Sequence, residues 1–532
     1  MKTSIKYSLQ LFIVFLIANN VLGQNLNIKN DTFWNTADGK PLYSQGGGIF
    51  KFKDPKTGLQ KYFWYGVQYK EADIYRHNPA VTNKNASFQS VTCYSSTDLV
   101  NWVFEGDVLT EQQLFNNRKP TWVGRLGVAY LKEQNKYAMV IQLGNKVLFA
   151  VAGTPTETFK YQQEIDMTSM IGTSNTGDQT VFTDEDTGKS YLVYSYGNGR
   201  NKIYISEIGL KDGMVNLLDC NKIFEGESRE GNCLFKYKNK FYMSASNIYG
   251  WDGSFAYYLV ADNILGPYMP TNNMQIMDGC TEDFAHVSQT GFFYTVKGTA
   301  QETVIYCGDR WSNFAGNGLG YNQWVPLSFT GVKPYFNSIS SWSLNEKTGN
   351  WKVNDDNNYV KNGSFEADRR SIPSKVKPLQ QQLTGWASKV IKGNSINLDS
   401  AISPQLNHFN NTIDRKTVIG EKSLNISDKV NFKRIVTQVI ESSPYVKLHD
   451  GKYVLTAKVK NSAGFSKLSM FAISNGKLIS YIIKEENKSW KTVTIDNISV
   501  SGGRVEIGFK ADAKANSFCY IDDVSLVKMG TN

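Results

Sequence analysis

At 532 residues the chain exceeds what one compact core organises, and its formal charge of +10 is dispersed as single lysines among acids and aromatics. It lacks the basic runs of a nucleic-acid or membrane-surface protein, and four histidines without a shared short motif argue against a zinc module. The excess is aromatic, with 29 Tyr, 29 Phe and 11 Trp, which supplies rings both for sheet cores and for stacking on sugar C–H faces.

The chain opens with Lys2 and Lys6, an apolar run from Leu9 to Ala18, and Leu22-Gly23 ahead of a polar stretch. That order predicts a secretory signal cleaved near Gly23, with an apolar run too short to span a bilayer. No later stretch is apolar enough to span one, and the residue directly after Gly23 is Gln24 and not the cysteine of a lipid anchor. The mature chain is therefore expected to be a soluble monomer, secreted or periplasmic, with neither membrane span nor nucleic-acid partner. In that compartment Cys93, Cys220, Cys233, Cys280, Cys307 and Cys519 are expected to be mostly buried apolar residues, with one bridge open to a close pair.

Beyond the leader, short alternating runs bounded by Gly, Asn and Asp predict an all-β chain. A strand, a polar turn and an aromatic strand recur. The copies are Gly48-Ile49-Phe50-Lys51 with Tyr62-Phe63-Trp64-Tyr65, Val128-Ala129-Tyr130 with Tyr137-Ala138-Met139-Val140, and Thr180-Val181-Phe182 with Tyr191-Leu192-Val193-Tyr194. Cys233-Leu234-Phe235 with Phe241-Tyr242-Met243, and Val287-Ser288-Gln289 with Phe292-Phe293-Tyr294, complete the set. Tyr191, Tyr242 and Tyr294 lie 51 and 52 residues apart by subtraction, a period that radial β repeats use. Five copies predict a five-bladed β-propeller over residues 24–356, in which the starts of the innermost strands converge on one axial pocket. The converging neighbourhoods are Gln45, Gly124-Arg125, Asp178, Glu230 and Gln289. A β-sandwich with coincidental spacing is the rival architecture.

After Trp351 the texture changes. Asn362-Gly363-Ser364-Phe365-Glu366 opens a run of alternating strands that ends at Tyr520-Ile521-Asp522-Asp523-Val524, so residues 357–532 are expected to form a β-sandwich. Glu366 and Asp523 offer hard oxygens to a structural calcium, with unliganded surface carboxylates as the alternative. No cofactor is required elsewhere.

Glycoside hydrolysis needs an acid for the leaving oxygen and, for inversion, a base that activates water across the ring. Glu230, a lone carboxylate heading one strand of an aromatic hairpin, is the acid candidate; its bland alternative is an ion pair with Arg229. Asp178, read at the matching point one repeat earlier, would hold that acid and tune it by charge, against the alternative of a turn aspartate. Asp184-Glu185-Asp186-Thr187-Gly188 reads as a plain hairpin turn. Trp122, Tyr249, Trp251 and Trp311 fall at pocket-facing ends, with Trp251 and Trp311 the stacking candidates.

The strings Gln45-Gly46-Gly47-Gly48-Ile49-Phe50, Tyr62-Phe63-Trp64-Tyr65-Gly66, Cys93-Tyr94-Ser95-Ser96-Thr97-Asp98-Leu99-Val100-Asn101-Trp102, Arg229-Glu230, Ser288-Gln289, Gly308-Asp309-Arg310-Trp311 and Trp324-Val325-Pro326-Leu327 resemble glycoside hydrolase family 43, in its exo-β-1,3-galactanase-like branch. The two ends of the tail resemble a jelly-roll carbohydrate-binding module. The resemblance implies Glu230 as general acid and Asp178 as its pKa modulator, and the substrate-contact set is Gln45, Arg125, Trp251, Asp309 and Trp311. Two departures stand out. Gln45-Gly46-Gly47-Gly48 replaces the aspartate that serves the family as base; in the galactanase-like branch a glutamine of the last blade takes that place, and Ser288-Gln289 resembles that element, so the resemblance implies Gln289, positioning water or acting as its imidic tautomer, with a plain hydrogen bond to a sugar hydroxyl as its alternative. Glu282 and Asp283 are the carboxylate alternatives. Gly124 stands where galactanase-like relatives carry a glutamate, which leaves an arabinofuranosidase or xylosidase open.

The expectation is an exported, inverting exo-glycosidase that trims terminal sugars from plant-type polysaccharide side chains. Its tail would act as a tether whose loss spares small substrates. A non-catalytic glycan-binding propeller is the rival from another class.

Overall fold

The computed structural model describes residues 26–78, 86–116, 119–144, 146–250, 252–311, 319–368, 383–395, 406–408, 420 and 422–530. The leader and Trp251 lie outside the described residues. The chain is mostly β, and its helices are single turns or little more. No helix among the described residues is long and apolar enough to cross a membrane.

Five antiparallel sheets follow one another along the chain. The first comprises Gln45–Lys53, Gln60–Tyr69, Phe88–Ser96 and Val103–Thr110. The second comprises Val123–Leu131, Lys136–Leu143, Lys146–Ala152 and Lys160–Ile165. The third is built on Thr176–Asp184, Lys189–Tyr196, Lys202–Lys211 and Met214–Leu217, with Asn221–Glu225 paired to its third strand. The fourth comprises Glu230–Tyr237, Lys240–Ser246, Tyr257–Ala261 and Gln275–Ile276. The fifth comprises Gln289–Lys297, Glu302–Trp311, Gly320–Thr330 and Lys333–Phe336. Their first strands pack in a closed cycle, each against the first strand of the next sheet and the fifth against the first. Leu26–Lys29 pairs with Ser341–Leu344, so the two ends of this region are joined by one ladder.

One expected hairpin is corrected. Val287-Ser288-Gln289 and Phe292-Phe293-Tyr294 are not two strands, because Gln289–Lys297 is a single strand whose partner is Glu302–Trp311. The Thr290-Gly291 pair that reads as a turn is a bulge, where the register slips between Thr290 and Phe292.

Trp64, Trp102, Trp324 and Trp342 fill cores, each at most 1% exposed, so part of the aromatic excess is packing. The cysteine bridge is also corrected. All six cysteines are free, five of them buried and Cys220 half-buried.

The tail holds two five-stranded sheets. One runs Ala387–Lys392, Phe432–Glu441, Arg504–Ala513, Phe465–Ser474, Lys477–Ile482, and the other Leu406–His408, Lys422–Ser427, Phe518–Lys528, Gly451–Asn461, Asn487–Val500. The first presents Val436, Met470 and Ile507, and the second Leu424, Tyr453 and Leu455, to one shared buried core.

Candidate active site

The five first strands share a device that puts side chains on the axis. Near each entry the pairing with the second strand slips, between Gln45 and Gly48, Val123 and Leu126, Thr176 and Gln179, Glu230 and Cys233, and Thr290 and Phe292. Each gap contains a glycine, namely Gly46, Gly124, Gly177, Gly231 or Gly291. Bulges of this kind bend the strand and re-aim the neighbouring side chain. Arg125, Asp178 and Asn232 occupy the same place in their bulges, whereas Glu230 sits two positions before that place. Asp178 and Glu230 are therefore neighbours in space without being equivalent in the repeat, which corrects the sequence reading.

Asp178 and Glu230 line a cavity of about 240 Å³ together with Gly46, Tyr69, Trp122, Gly124, Arg125, Arg200, Gly250, Gln289 and Trp311. Arg125, only 4% exposed, holds Asp178 and Asp309 in place. Its Nε donates to Asp178 Oδ2 at 3.2 Å, Nη1 to Asp309 Oδ2 at 3.1 Å, and Nη2 to Gln289 Oε1 at 3.1 Å and the Thr290 carbonyl at 3.2 Å. The planar fork of a guanidinium suits such divergent acceptors. Asp178 Oδ2 also accepts the Gly231 N–H at 2.9 Å. Burial pushes the Asp178 carboxyl up, but Arg125, Arg200 and that N–H outweigh it, and the net shift is downward. For Asp309, burial wins over Arg125 and the Gly46 N–H, and the charge of Asp178 adds to it, so its carboxyl is raised.

Glu230 does not pair with Arg229, whose guanidinium reaches Glu227 at 2.9 Å and lies over the Tyr257 ring. Its partners are Arg200, through Nη1 and Oε1, and Gln289, whose Nε2 donates to Oε2 at 3.1 Å. Gln289 is fixed from its other end, where Oε1 accepts from Trp311 Nε1 at 2.8 Å as well as from Arg125. Gly231 has φ +58°, and a Cβ there would run into the Thr290 carbonyl, so glycine is required where the fourth and fifth sheets meet.

Of the expected contacts, Arg125 and Trp311 are at the cavity, while Asp309 lies beneath it, holding Arg125 and accepting the Gly46 N–H at 3.3 Å. Gln45 is 7% exposed and lines a neighbouring small cavity that shares Tyr69. Tyr249 is buried among Phe255, Phe284 and Ala367, away from the cavity. Trp122 lines the cavity, and its ring stands where a side chain on Gly124 would be. Gly47 likewise has no room for a side chain, because a Cβ would meet the Tyr65 carbonyl, so a carboxylate cannot be added there without moving backbone.

Neither carboxylate alternative to Gln289 lines the cavity. Glu282 borders a separate cleft against the tail, and Asp283 is 3% exposed, accepting from the His286 N–H at 3.1 Å and from the Ser338 hydroxyl. Asp283 instead caps a left-handed turn: Phe284, Ala285, His286 and Val287 all have φ between +51° and +56° just ahead of Gln289. Such a turn costs roughly 1–2 kcal/mol per residue and persists only where its surroundings hold it. His286 supplies part of that hold, with Nε2 3.0 Å from Asp31 Oδ2 and Nδ1 2.8 Å from Ser338 Oγ. Burial pulls the imidazole's pKa down, but Asp31 and Asp283 more than reverse this and bring it to about 9. Its stabilisation, roughly 3 kcal/mol, is full below about pH 6.5 and is lost as pH rises through 9. Denaturant midpoints should therefore fall between pH 6.5 and 9.5 in the wild type and much less in His286→Gln; equal slopes would remove His286 as the cause.

Glu366 takes the Lys422 backbone N–H at 2.9 Å, and the Asp523 N–H is accepted by Asp522. Among the described residues no group of three or more acids, histidines or cysteines is arranged to hold a metal.

A cavity residue that the sequence reading missed is Arg200. It reaches the cavity from a loop position with φ +54°, strapped by its N–H to the Tyr196 carbonyl at 3.1 Å and by its carbonyl to the Arg229 N–H at 2.9 Å. Gly177 gives it passage, since a Cβ there would lie 3.2 Å from Arg200 Cγ.

Residues 67–320 match the family model of glycosyl hydrolases family 43. Among solved structures, an exo-beta-1,3-galactanase from Phanerochaete chrysosporium, with galactose, is similar at a TM-score of 0.53 and 19% identity, covering 93% of this chain and 100% of that one. An exo-beta-1,3-galactanase from Clostridium thermocellum is similar at 0.52 and 18%, covering 88% and 100%. At these identities the likeness speaks for the fold alone. No curated protein matches the chain. The family match falls on the sheets that build the cavity, and the protein is a glycoside hydrolase whose residues 67–320 match family 43.

Proposed function

We propose that the protein is an exported, inverting exo-glycosidase that releases terminal galactose from β-1,3-linked galactan, with Glu230 as general acid. In this reading the five sheets are the blades of a β-propeller and the tail is a jelly-roll sandwich that binds polysaccharide. The observation that carries it is the meeting of Glu230, Asp178, Arg125 and Gln289 in a cavity of about 240 Å³. That is smaller than the roughly 300–1,000 Å³ of drug-sized sites, so it suits one sugar ring at a chain end and not a threaded polymer.

Glu230 gives its proton to the departing glycosidic oxygen. Asp178 stays ionised and supports the developing positive charge on the sugar. Its Oδ2 is already taken by Arg125 and Gly231, which makes it a poor nucleophile and favours attack by water, hence inversion. Gln289 acts by position: the imidic form needs a proton on Oε1, and that oxygen already accepts from Arg125 and Trp311, so the proton of the attacking water passes to solvent as the new C–O bond forms. Its remaining Nε2 hydrogen is the group that reaches substrate or water. The similar structures are exo-beta-1,3-galactanases, which points to β-1,3-galactan. The Trp122 ring over Gly124 favours a second reading, a pentosidase on the same scaffold.

The test is incubation with β-1,3-galactan, arabinogalactan, arabinan and xylan. Galactose should appear one residue at a time from chain ends, with inverted anomeric configuration by NMR. Release of pentose alone supports the second reading, and no release from any glycan defeats both.

A further inference from the structure

A buried ammonium of the tail contacts the loop that follows cavity-lining Gly250. Lys422 is 3% exposed, and its Nζ lies 3.7 Å from Glu366 Oε2 and 3.4 Å from the Glu366 carbonyl, both in the tail. The same Nζ lies 3.6 Å from Oδ1 of Asp252, which is 8% exposed and belongs to the fourth sheet's loop, two residues after cavity-lining Gly250. Around this contact Tyr249, Phe255 and Phe284 pack with Ala367 of the tail in a small apolar cluster of their own.

The same loop is fastened to the turn ahead of Gln289. The Ser254 N–H donates to the Ser288 carbonyl at 3.0 Å, and a Cβ on Gly253 would lie 3.0 Å from Val287 backbone, so the two segments touch main chain to main chain. From the tail side, Lys361 Nζ donates to the Ser338 carbonyl at 2.7 Å and its charge lowers the Asp283 carboxyl. The segment bearing Gly250 and the strained turn that delivers Gln289 are thus one packed unit, and the tail is its backing.

Buried ion pairs contribute little net stability against apolar packing of the same shape, but removing one partner leaves the other charge buried and uncompensated. Resting on the glycosidase reading above, we infer that Lys422 is a positioning residue: acting through Asp252, it fixes the Gly250 wall of the cavity. The tail is then part of the working site and not only a tether, against the expectation that small substrates are indifferent to it.

The test uses the full chain with Lys422→Met, Asp252→Asn and Lys422→Arg, on a soluble galactobiose and on insoluble galactan. KM for the disaccharide should rise about tenfold in the first two variants with a smaller change in kcat. Lys422→Arg should stay within a few fold of wild type, and retention on insoluble galactan should be unaltered. Hydrogen exchange of residues 247–256 and 284–289 should quicken in Lys422→Met and not in Lys422→Arg. A lower melting temperature with KM unchanged, or exchange unaltered in both segments, overturns the inference. Wild-type protein that cleaves no glycan defeats the glycosidase reading instead, and the exchange comparison then still decides whether Lys422 holds the wall.

Discussion

Glu230→Gln should lower kcat on galactan oligosaccharides by about 10²–10⁴, the usual contribution of a positioned general acid. The amide keeps the volume of the side chain, and its oxygen can still accept from Gln289 Nε2, so the Arg125 network is left intact. What it lacks is a proton to give. An aryl galactoside whose phenol leaves readily needs little protonation, so its turnover should fall far less than that of the disaccharide. The alkaline limb of the pH–rate profile, set in the wild type by loss of the acid's proton, should disappear. Equal losses on both leaving groups would make Glu230 a binding residue, and no loss would remove it from the mechanism. Arg200 Nη1 contacts Glu230 Oε1 beside the cavity, with the Arg200 side chain 34% exposed.

The strand starts were legible because each carries a polar residue beside a glycine ahead of an aromatic hairpin. That pattern brings Arg125, Asp178, Glu230 and Gln289 together across more than 160 residues of sequence. It does not reveal the bulge. Without the register, Asp178 and Glu230 look equivalent, and the glycine of Thr290-Gly291 looks like a turn. Residues that reach the cavity from elsewhere were harder to see. Asp309 lies on the second strand of its sheet and was recognisable only as part of the family resemblance, while its role beneath Arg125 needs coordinates. Arg200 depends on one left-handed backbone residue, which has no reliable signature in an arginine. Lys422 lies 170 residues beyond Asp252 by subtraction and resembles any surface lysine until its burial is known. Trp122 was visible as a pocket-side ring, but its standing over Gly124 is a matter of packing.

Arg125→Met should cost about 3–5 kcal/mol of stability, the range for removing one member of a buried ionic cluster. The thioether fills much of the space but leaves Asp178 and Asp309 facing each other without their shared cation. Asp309 is already raised by burial and by the Asp178 charge, so the pair would hold a proton well above the usual carboxylate range. Carboxyls raised in the folded state oppose folding once pH exceeds their unfolded values. The deficit should therefore be smallest near pH 4 and grow toward pH 7.5, which denaturant midpoints at the two pH values would read. Adding Asp309→Asn should recover part of the loss by removing one of the stranded charges, although the pair of variants would still be inactive because Gln289 and Asp178 lose their common anchor. Arg125→Lys tests geometry apart from charge: one ammonium cannot span the three side-chain acceptors that the guanidinium fork engages, so stability should return in part and turnover should not. A fully active Arg125→Lys would mean that Arg125 supplies only charge and that the alignment of Gln289 with Glu230 is set elsewhere.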